Sequence, residues 1–198
     1  MTAATSPDTS KSLLARLRGQ PSPEDWAKLT AVYVPLLHGW LGKYRLQPAD
    51  LDDLVQDVLG ALVTEVPRFA HNGRPGAFRH WLRVIAVYRV RNFWRSNEVR
   101  RAMPMAPNLI DDLGRLEDDA SELSQQWDAD HDRLVVDRLL AMIEPEFAPS
   151  AWQAFLKAMA GQPAAEIAAE LGMTPNSVWI AKSRVLARLR QEAAGLVD

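Results

Sequence analysis

The sequence contains no cysteine. This absence excludes disulfide bonds, thiolate metal sites and cysteine nucleophiles, and it means that the protein cannot itself be a thiol sensor. The four histidines are scattered along the chain without a metal-binding spacing such as H-E-x-x-H. We therefore expect no metal site and no cofactor, and we expect the histidines to be ordinary polar or half-buried residues.

Long apolar runs are also lacking. None approaches the roughly 20 residues that a membrane-spanning helix requires, and residues 1–12 are polar, without the apolar centre of a signal peptide. The expectation is a cytoplasmic protein without membrane insertion. The 198 residues are 47% hydrophobic and 24% charged, which suits one large or two small globular domains.

Positive and negative charges are separated along the chain, although the net charge is only −2. Residues 66–101 contain nine arginines and a single acid, Glu98, for a net charge of +8. Residues 111–132 contain nine acids and a single basic residue, Arg115, for a net charge of −8. A protein that needs only solubility mixes its signs. The separation predicts a polyanion-binding surface followed by an anionic segment.

Helical periodicity covers nearly everything outside the loops, and no strand pattern of useful length is present. Ser22 or Pro23 should lead into the second helix, which Pro35 should divide into two pieces. Asp50 is the expected N-cap of the third helix. Helices are predicted over 11–18, 24–41, 48–63, 77–95, 134–143, 150–160, 164–171 and 175–190.

Residues 103–128 combine two prolines and many acids with little periodicity, which predicts a poorly ordered acidic linker. The predicted fold is therefore all-α, with two small helical domains joined by this linker. The expected organisation is an N-terminal extension over 1–22, a first domain over 23–101, the linker over 102–130 and a second domain over 131–198.

Residues 164–190 have the form of a helix-turn-helix. Gly172 ends the first short helix, Thr174 is the expected N-cap of the second, and Pro175 takes its first position. A helical hairpin with a solvated basic face is the alternative, but the turn residues and the apolar spacing together favour DNA binding. The residues expected to contact DNA are Thr174, Asn176, Ile180, Ser183, Arg184 and Arg188.

Two sequence blocks carry a resemblance to a known family. The blocks DLVQDV at 53–58 and FRHWLRVIA at 78–86 resemble the second conserved domain of bacterial RNA polymerase sigma factors, and the helix-turn-helix resembles their fourth domain. The short connection between them is similar to the extracytoplasmic-function (ECF) group. The resemblance implies a non-enzymatic subunit that directs promoter-specific transcription initiation. Its implied partners are core RNA polymerase and promoter DNA, and an anti-sigma factor is a candidate partner.

The resemblance also implies site residues. Asp53, Gln56 and Asp57 would bind core polymerase, although an isolated helix with these residues would more simply present a solvated face. The loop and helix that follow would read and melt the −10 element, where aromatic side chains stack on unpaired bases. The −10 candidates are Phe69, Asn72, Phe78, Arg79, Trp81, Arg83, Tyr88, Arg89, Arg91 and Arg95, and some of their aromatic rings are expected in the core.

Two other classes of protein are open from the sequence. A conventional helix-turn-helix regulator with an N-terminal interaction domain would explain residues 164–190 but neither the DLVQDV block nor the +8 segment. A nuclease would need a metal-binding carboxylate cluster, for which Asp52, Asp53 and Asp57 are the only candidates. The −10 interpretation itself requires that the arginines are not neutralised by carboxylates of the same chain, with the aromatic rings sealed beneath them.

Overall fold

The structure is a computed structural model that describes residues 12–44, 46–70, 72, 74–101 and 107–197. Within these ranges the regular structure is helical, apart from an isolated bridge between Ala194 and Val197, so the all-α prediction is confirmed. The α-helices are α1 (Leu13–Arg18), α2 (Pro23–Leu41), α3 (Pro48–Glu65), α4 (Ala77–Arg101), α5 (Pro107–Glu117), α6 (Glu122–Ile143), α7 (Pro149–Met159), α8 (Ala164–Leu171) and α9 (Pro175–Ala193).

Helix α2 begins at a reciprocal capping box. The Ser22 hydroxyl accepts a hydrogen bond from the Asp25 amide at 3.2 Å, and the Ser22 amide donates to the Asp25 carboxylate at 3.0 Å. The prediction that Pro35 divides this helix is wrong, because α2 runs without a break to Leu41. Apolar residues on both sides of Pro35 are buried, and their packing offsets the hydrogen bond that proline cannot make.

Helix α3 begins at Pro48, as predicted, but its N-cap residue differs from the prediction. Pro48 takes the first turn, Gln47 is the N-cap residue without a side-chain hydrogen bond, and Asp50 lies inside the first turn rather than at the cap. The fixed φ of proline favours this start, and Asp50 still lies near the positive end of the helix dipole. Most of the apolar stripe of α3 is buried, with Leu54, Val58 and Leu62 fully shielded between α2 and α4, but Val63 at its end is 41% exposed.

The acidic stretch differs most from its prediction. Residues 107–117 and 122–130 belong to α5 and α6, so the expectation of a poorly ordered linker is wrong for them, while residues 102–106 lie outside the described residues. Both helices bury an apolar stripe in the same core as α2, α3 and α4. This burial supplies the free energy that orders the chain despite its charge. The buried residues are Leu109, Leu113 and Leu116 on α5 and Trp127, His131, Val135 and Leu139 on α6.

The helix-turn-helix is present as predicted. Gly172 ends α8 in the left-handed region with φ of 64°, and the Thr174 hydroxyl caps α9 by accepting a hydrogen bond from the Ser177 amide at 3.1 Å. Val178 and Val185 on α9 are fully buried. We call α1 to α6 the front helices. After the end of α9, Leu196 packs in the core that the front helices form. The residue boundaries proposed for the two domains stay a prediction.

Candidate nucleic-acid and polymerase interface

The DLVQDV block forms the exposed side of α3. Asp53, Gln56 and Asp57 are all exposed, while Leu54 and Val58 between them face the core. This arrangement follows from the helical period, because residues three and four apart share a face. The three side chains therefore form one polar, mainly acidic surface, which we call the acidic face.

The acidic face is joined to the arginine-rich helix α4. The Asp57 carboxylate accepts a hydrogen bond from the Arg89 guanidinium at 3.2 Å, and both side chains are partly exposed. An exposed ion pair of this kind contributes little to stability. It does show that the candidate polymerase contacts on α3 and the candidate DNA contacts on α4 lie side by side.

Two arginines of α4 are covered by carboxylates of α6 and of the turn before it. The Arg83 guanidinium donates to the Asp128 carboxylate at 2.8 Å and forms a second ion pair with Asp119. Arg79 donates to Asp132 at 2.9 Å and lies 3.4 Å from Asp128. Only 3% of the Arg83 side chain and 18% of the Arg79 side chain remain exposed. We call these two residues the covered arginines.

Further along α4 the arginines are more accessible. Arg91 forms an ion pair with Glu117, but 38% of its side chain is exposed. Arg95 is exposed, and Tyr88 presents its ring to solvent with 60% exposure. The outer side of α4 is therefore open, whereas Arg79 and Arg83 on its first two turns are covered by carboxylates.

The aromatic candidates divide in the same way. Phe69 and Phe78 are buried at 6% and 1% exposure, and their rings meet edge to face with centroids 5.3 Å apart. Trp81 is half-buried and packs on both of them. Asn72 is exposed in the loop, where its side-chain oxygen accepts a hydrogen bond from the Arg74 amide. Among the aromatic −10 candidates, Tyr88 and Trp81 offer ring surface to a base in this conformation.

The −10 interpretation requires arginines that are not neutralised by carboxylates of the same chain. The first two turns of α4 do not meet this requirement. Arg79 and Arg83 are paired with carboxylates of the same chain, and Phe69 and Phe78 are buried. The sequence analysis found both charged segments but not that they pair with each other. The role of Arg79, Arg83, Phe69 and Phe78 as DNA contacts stays a prediction. It requires that the acidic helices α5 and α6 move away.

The candidate recognition helix α9 is more accessible at its first turns. Asn176, Ile180, Ser183 and Arg184 are exposed on one side, and Thr174 is exposed but uses its hydroxyl as the cap. Sequence reasoning did not include Trp179, which is 59% exposed with the Lys182 ammonium 5.9 Å from its ring centroid. Its position beside Ile180 was the available signal.

Arg188 differs from the other α9 candidates because it is held by two carboxylates. Its guanidinium donates to Glu146 at 2.7 and 2.9 Å and to Glu192 at 2.9 Å. Glu192 in turn accepts a hydrogen bond of 2.6 Å from Arg16 on α1, which also donates to Asp25 at the start of α2. This network fastens the end of α9 to the front helices.

Glu192 is stabilised in its charged form. Burial by itself raises the pKa of a carboxyl group, but the hydrogen bonds from Arg16 and Arg188 outweigh it, so that the pKa of Glu192 lies below its usual range. The pKa of Asp25 is lowered for a similar reason, through Arg16 and Ser22. Glu192 and Asp25 are therefore both carboxylates at neutral pH.

Other kinds of site find no support in the described ranges. Within them, no cluster of three or more His, Cys, Asp or Glu side chains is placed to hold a metal ion. None of the helices in this part of the chain is long and apolar enough to cross a membrane. The charged surfaces of α3, α4 and α9 are thus the features that call for a functional explanation.

An all-helical protein with an acidic helix face beside an arginine-rich helix, followed by a helix-turn-helix, has the features of a DNA-associated transcription protein. Residues 29–100 match the Sigma-70 region 2 family, so the chain contains a sigma region 2 domain. This match spans the acidic face and most of α4.

Relatives extend the similarity beyond that domain. The ECF RNA polymerase sigma factor SigD of Mycobacterium bovis, and the proteins of the same name from two strains of Mycobacterium tuberculosis, are each 30% identical over 154 residues. The alignments cover 74% of this chain and 65% of each relative, so the chain spans slightly less than two thirds of their length. No solved structure gives a significant match. These findings support the prediction of an ECF sigma factor.

Proposed function

We propose that this protein is an RNA polymerase sigma factor that directs promoter-specific transcription initiation. The observation that carries the proposal is the sigma region 2 match over 29–100, which coincides with an exposed acidic face next to a cationic helix. The protein contributes binding energy and specificity and catalyses no reaction of its own. Its partners are core polymerase and promoter DNA, and an anti-sigma factor stays a candidate partner.

Each surface has a separate part in this proposal. The acidic face binds basic side chains of core polymerase through charge-assisted hydrogen bonds. The exposed residues of α9 read the −35 element in the major groove, where Asn and Arg form paired hydrogen bonds with base edges. Helix α4 and the loop before it contact the −10 element, and aromatic rings stack on bases of the opened strand.

Run-off transcription tests the proposal directly. Purified bacterial core polymerase is assayed on a promoter library with and without this protein. We expect initiation at a defined set of promoters only when the protein is present. Failure to support initiation anywhere, together with tight binding to a palindromic duplex without polymerase, would instead identify a conventional helix-turn-helix regulator.

The acidic face is tested by reversing its charge. The double variant Asp53→Arg, Asp57→Arg should lose at least about a hundredfold in affinity for core polymerase, because two attractive contacts become repulsive. The matched control is Asp111→Arg, Asp137→Arg, which changes two exposed acids of α5 and α6 by the same charge. Circular dichroism checks that both variants keep their helices. Normal association of the first variant would refute the assignment of this face.

A further inference from the structure

The first two turns of α4 are occupied by a segment of the same chain. We call residues 117–132 the acidic segment; it comprises the end of α5, the turn after it and the first half of α6. Its carboxylates reach three arginines that are 26 to 53 residues away in sequence. These contacts exclude other anions from the covered arginines Arg79 and Arg83.

We infer that the acidic segment is a built-in competitor of promoter DNA, which closes the arginine surface in the free protein and is displaced when that surface engages DNA. The inference rests on the proposed function, because it assumes that α4 contacts DNA. It adds something that the proposed function alone does not require: the arginine surface of α4 has a closed state and an open state. In the closed state Asp119, Asp128 and Asp132 occupy positions that phosphates would take in the open state.

The chemistry of the contacts supports a phosphate-like role. Carboxylates and phosphates both accept paired, charge-assisted hydrogen bonds from a guanidinium. Asp128 accepts from Arg83 at 2.8 Å while its second oxygen lies 3.4 Å from Arg79, so one carboxylate bridges both covered arginines. A phosphate cannot reach Arg83 while that bridge is in place, because the arginine side chain is 3% exposed.

The acidic segment is also anchored by packing, so it is more than a mobile counterion. Trp127 is fully buried and meets Trp40 of α2 edge to face with ring centroids 4.4 Å apart. One turn later, buried His131 lies 3.3 Å from the Tyr33 hydroxyl and 3.0 Å from the carboxylate of Asp132. Asp128 and Asp132 are thus carried on a helix whose adjacent side is fixed in the core by Trp127 and His131.

The closed contact is nevertheless incompletely satisfied. In the described part of the chain, the buried Nε of Arg83 and the buried indole Nε1 of Trp127 find no hydrogen-bond acceptor. Unmet buried donors lower the stability of the state that contains them. The closed state therefore combines strong charge pairing with a structural penalty, which is suited to a contact that a better set of acceptors replaces.

The remaining surface of α4 provides a place for the first encounter. Tyr88 and Arg95 stay exposed on its outer side while the covered arginines are closed. DNA can therefore meet α4 before the acidic segment leaves. Displacement then adds the contacts of Arg79 and Arg83, so that affinity for DNA and release of α6 depend on each other.

The first experiment neutralises the competitor. We compare Asp128→Asn, Asp132→Asn with the control Asp130→Asn, Asp137→Asn, which removes two charges from the same helix at positions that make no ion pair with another described residue. The probe is a fluorescein-labelled single-stranded 20-mer DNA, and fluorescence anisotropy measures its Kd. The first variant should bind about tenfold more tightly than the control, with a steeper salt dependence of about 0.7 per arginine that gains a phosphate.

Equal Kd values for the two variants would overturn the inference. Since the variant Asp128→Asn, Asp132→Asn could fold poorly, a second measurement is made on a protein that keeps all the aspartates of the acidic segment. Val63 on α3 and Gln126 on α6 are exposed, and the absence of native cysteine lets Val63→Cys, Gln126→Cys carry two spin labels at defined positions. Pulsed electron paramagnetic resonance then measures the distance between α3 and α6 with the protein alone and with core polymerase and promoter DNA.

The inference predicts a longer distance between the labels when polymerase and promoter are bound. An unchanged distance in a complex that transcribes would overturn it while leaving the proposed function intact. Conversely, failure of the unaltered protein in run-off transcription would remove the proposed function. In that case a tenfold difference in Kd between the two aspartate variants would still support a closed arginine surface, and equal values would remove it as well.

Discussion

The molecule has two cationic helices, α4 and α9, that differ in how much of their charge is accessible. On α4, Arg79 and Arg83 are paired with carboxylates and almost shielded from solvent. On α9, Arg184 is exposed and lies on the same side as Asn176 and Ser183. Similar composition thus leaves the arginines in the first turns of α4 covered, while Arg184 on α9 is exposed.

The comparison teaches that the charge of a helix does not determine what it can bind. Helix α9 presents its polar groups because its apolar residues are satisfied by α7 and α8. Helix α4 lies against α5 and α6, whose apolar stripes pack in the same core and bring their carboxylates onto the arginines. Packing therefore decides which arginine side chains are accessible to a ligand. The predictions below test this, from the largest expected effect to the smallest.

The largest effect is expected at the anchor of α6. Trp127→Ala removes a fully buried ring that packs on Trp40, so it should lower the free energy of unfolding by about 3–5 kcal/mol. The matched control is Trp179→Ala on α9, where the ring is 59% exposed and the expected change is within about 0.5 kcal/mol. Urea denaturation measures both, and equal effects would show that α6 is not anchored as described.

The next prediction compares one arginine from each helix. Arg83→Ala should lower the free energy of unfolding by about 2 kcal/mol, less than for a fully buried pair because its partner Asp119 is 69% exposed. Arg184→Ala should leave stability within about 0.5 kcal/mol. In binding assays with polymerase and promoter DNA, however, Arg184→Ala should weaken binding about tenfold. A large loss of stability in Arg184→Ala would contradict the view of α9 as open.

A smaller effect is expected where α9 is fastened to the front helices. Glu192→Gln should lower the free energy of unfolding at neutral pH by about 1 kcal/mol, because it weakens the charged hydrogen bonds with Arg16 and Arg188. The control is Glu166→Gln, an exposed residue of α8. Chemical denaturation at pH 7 should separate the two variants.

The lowered pKa of Glu192 predicts that the free energy of unfolding depends on pH. Because the folded pKa of Glu192 is below its usual value of 4.5, its stabilisation is complete above that value and is lost as the pH falls through the lower folded pKa. The stability of the unaltered protein should therefore decline more steeply below pH 4.5 than that of Glu192→Gln. Parallel curves would mean that Glu192 does not titrate as the network implies.

The smallest effect concerns the N-cap of α9. Thr174→Ala removes the oxygen that accepts a hydrogen bond from the Ser177 amide, and it should lower the free energy of unfolding by about 0.5–1 kcal/mol. Thr174→Ser keeps that oxygen and should change stability by only a few tenths of a kcal/mol. Amide exchange at Ser177 should be faster in the alanine variant. Unchanged exchange would show that the cap does not hold the first turn of α9.

The helix-turn-helix and α3 could be predicted because their signals are local. Gly172, Thr174 and Pro175 specify a helix end and a helix start within four residues, and the apolar stripe of α3 repeats without a break. Such signals need no knowledge of the partner. The exposed positions of Asp53 and Asp57 followed from the same period.

The acidic helices could have been found in part. Leu109, Leu113 and Leu116 have helical spacing, and Trp127 and His131 extend the stripe of α6 backwards, but the prolines and acids around them suggested disorder. The pairing of Arg79 with a carboxylate 53 residues away has no local signal. It depends on how α4 and α6 pack, which periodicity does not reveal. The unbroken helix through Pro35 has the same origin.

One consequence follows from the covalent connection between the acidic segment and α4. A tethered group competes at an effective concentration of about millimolar, which does not change when the protein is diluted. The occupancy of Arg79 and Arg83 by their own carboxylates is thus the same in a cell with ten copies of the protein and in one with ten thousand. Stray nucleic acid must outcompete a ligand that never diffuses away, so scarce and abundant copies alike are shielded from unproductive binding.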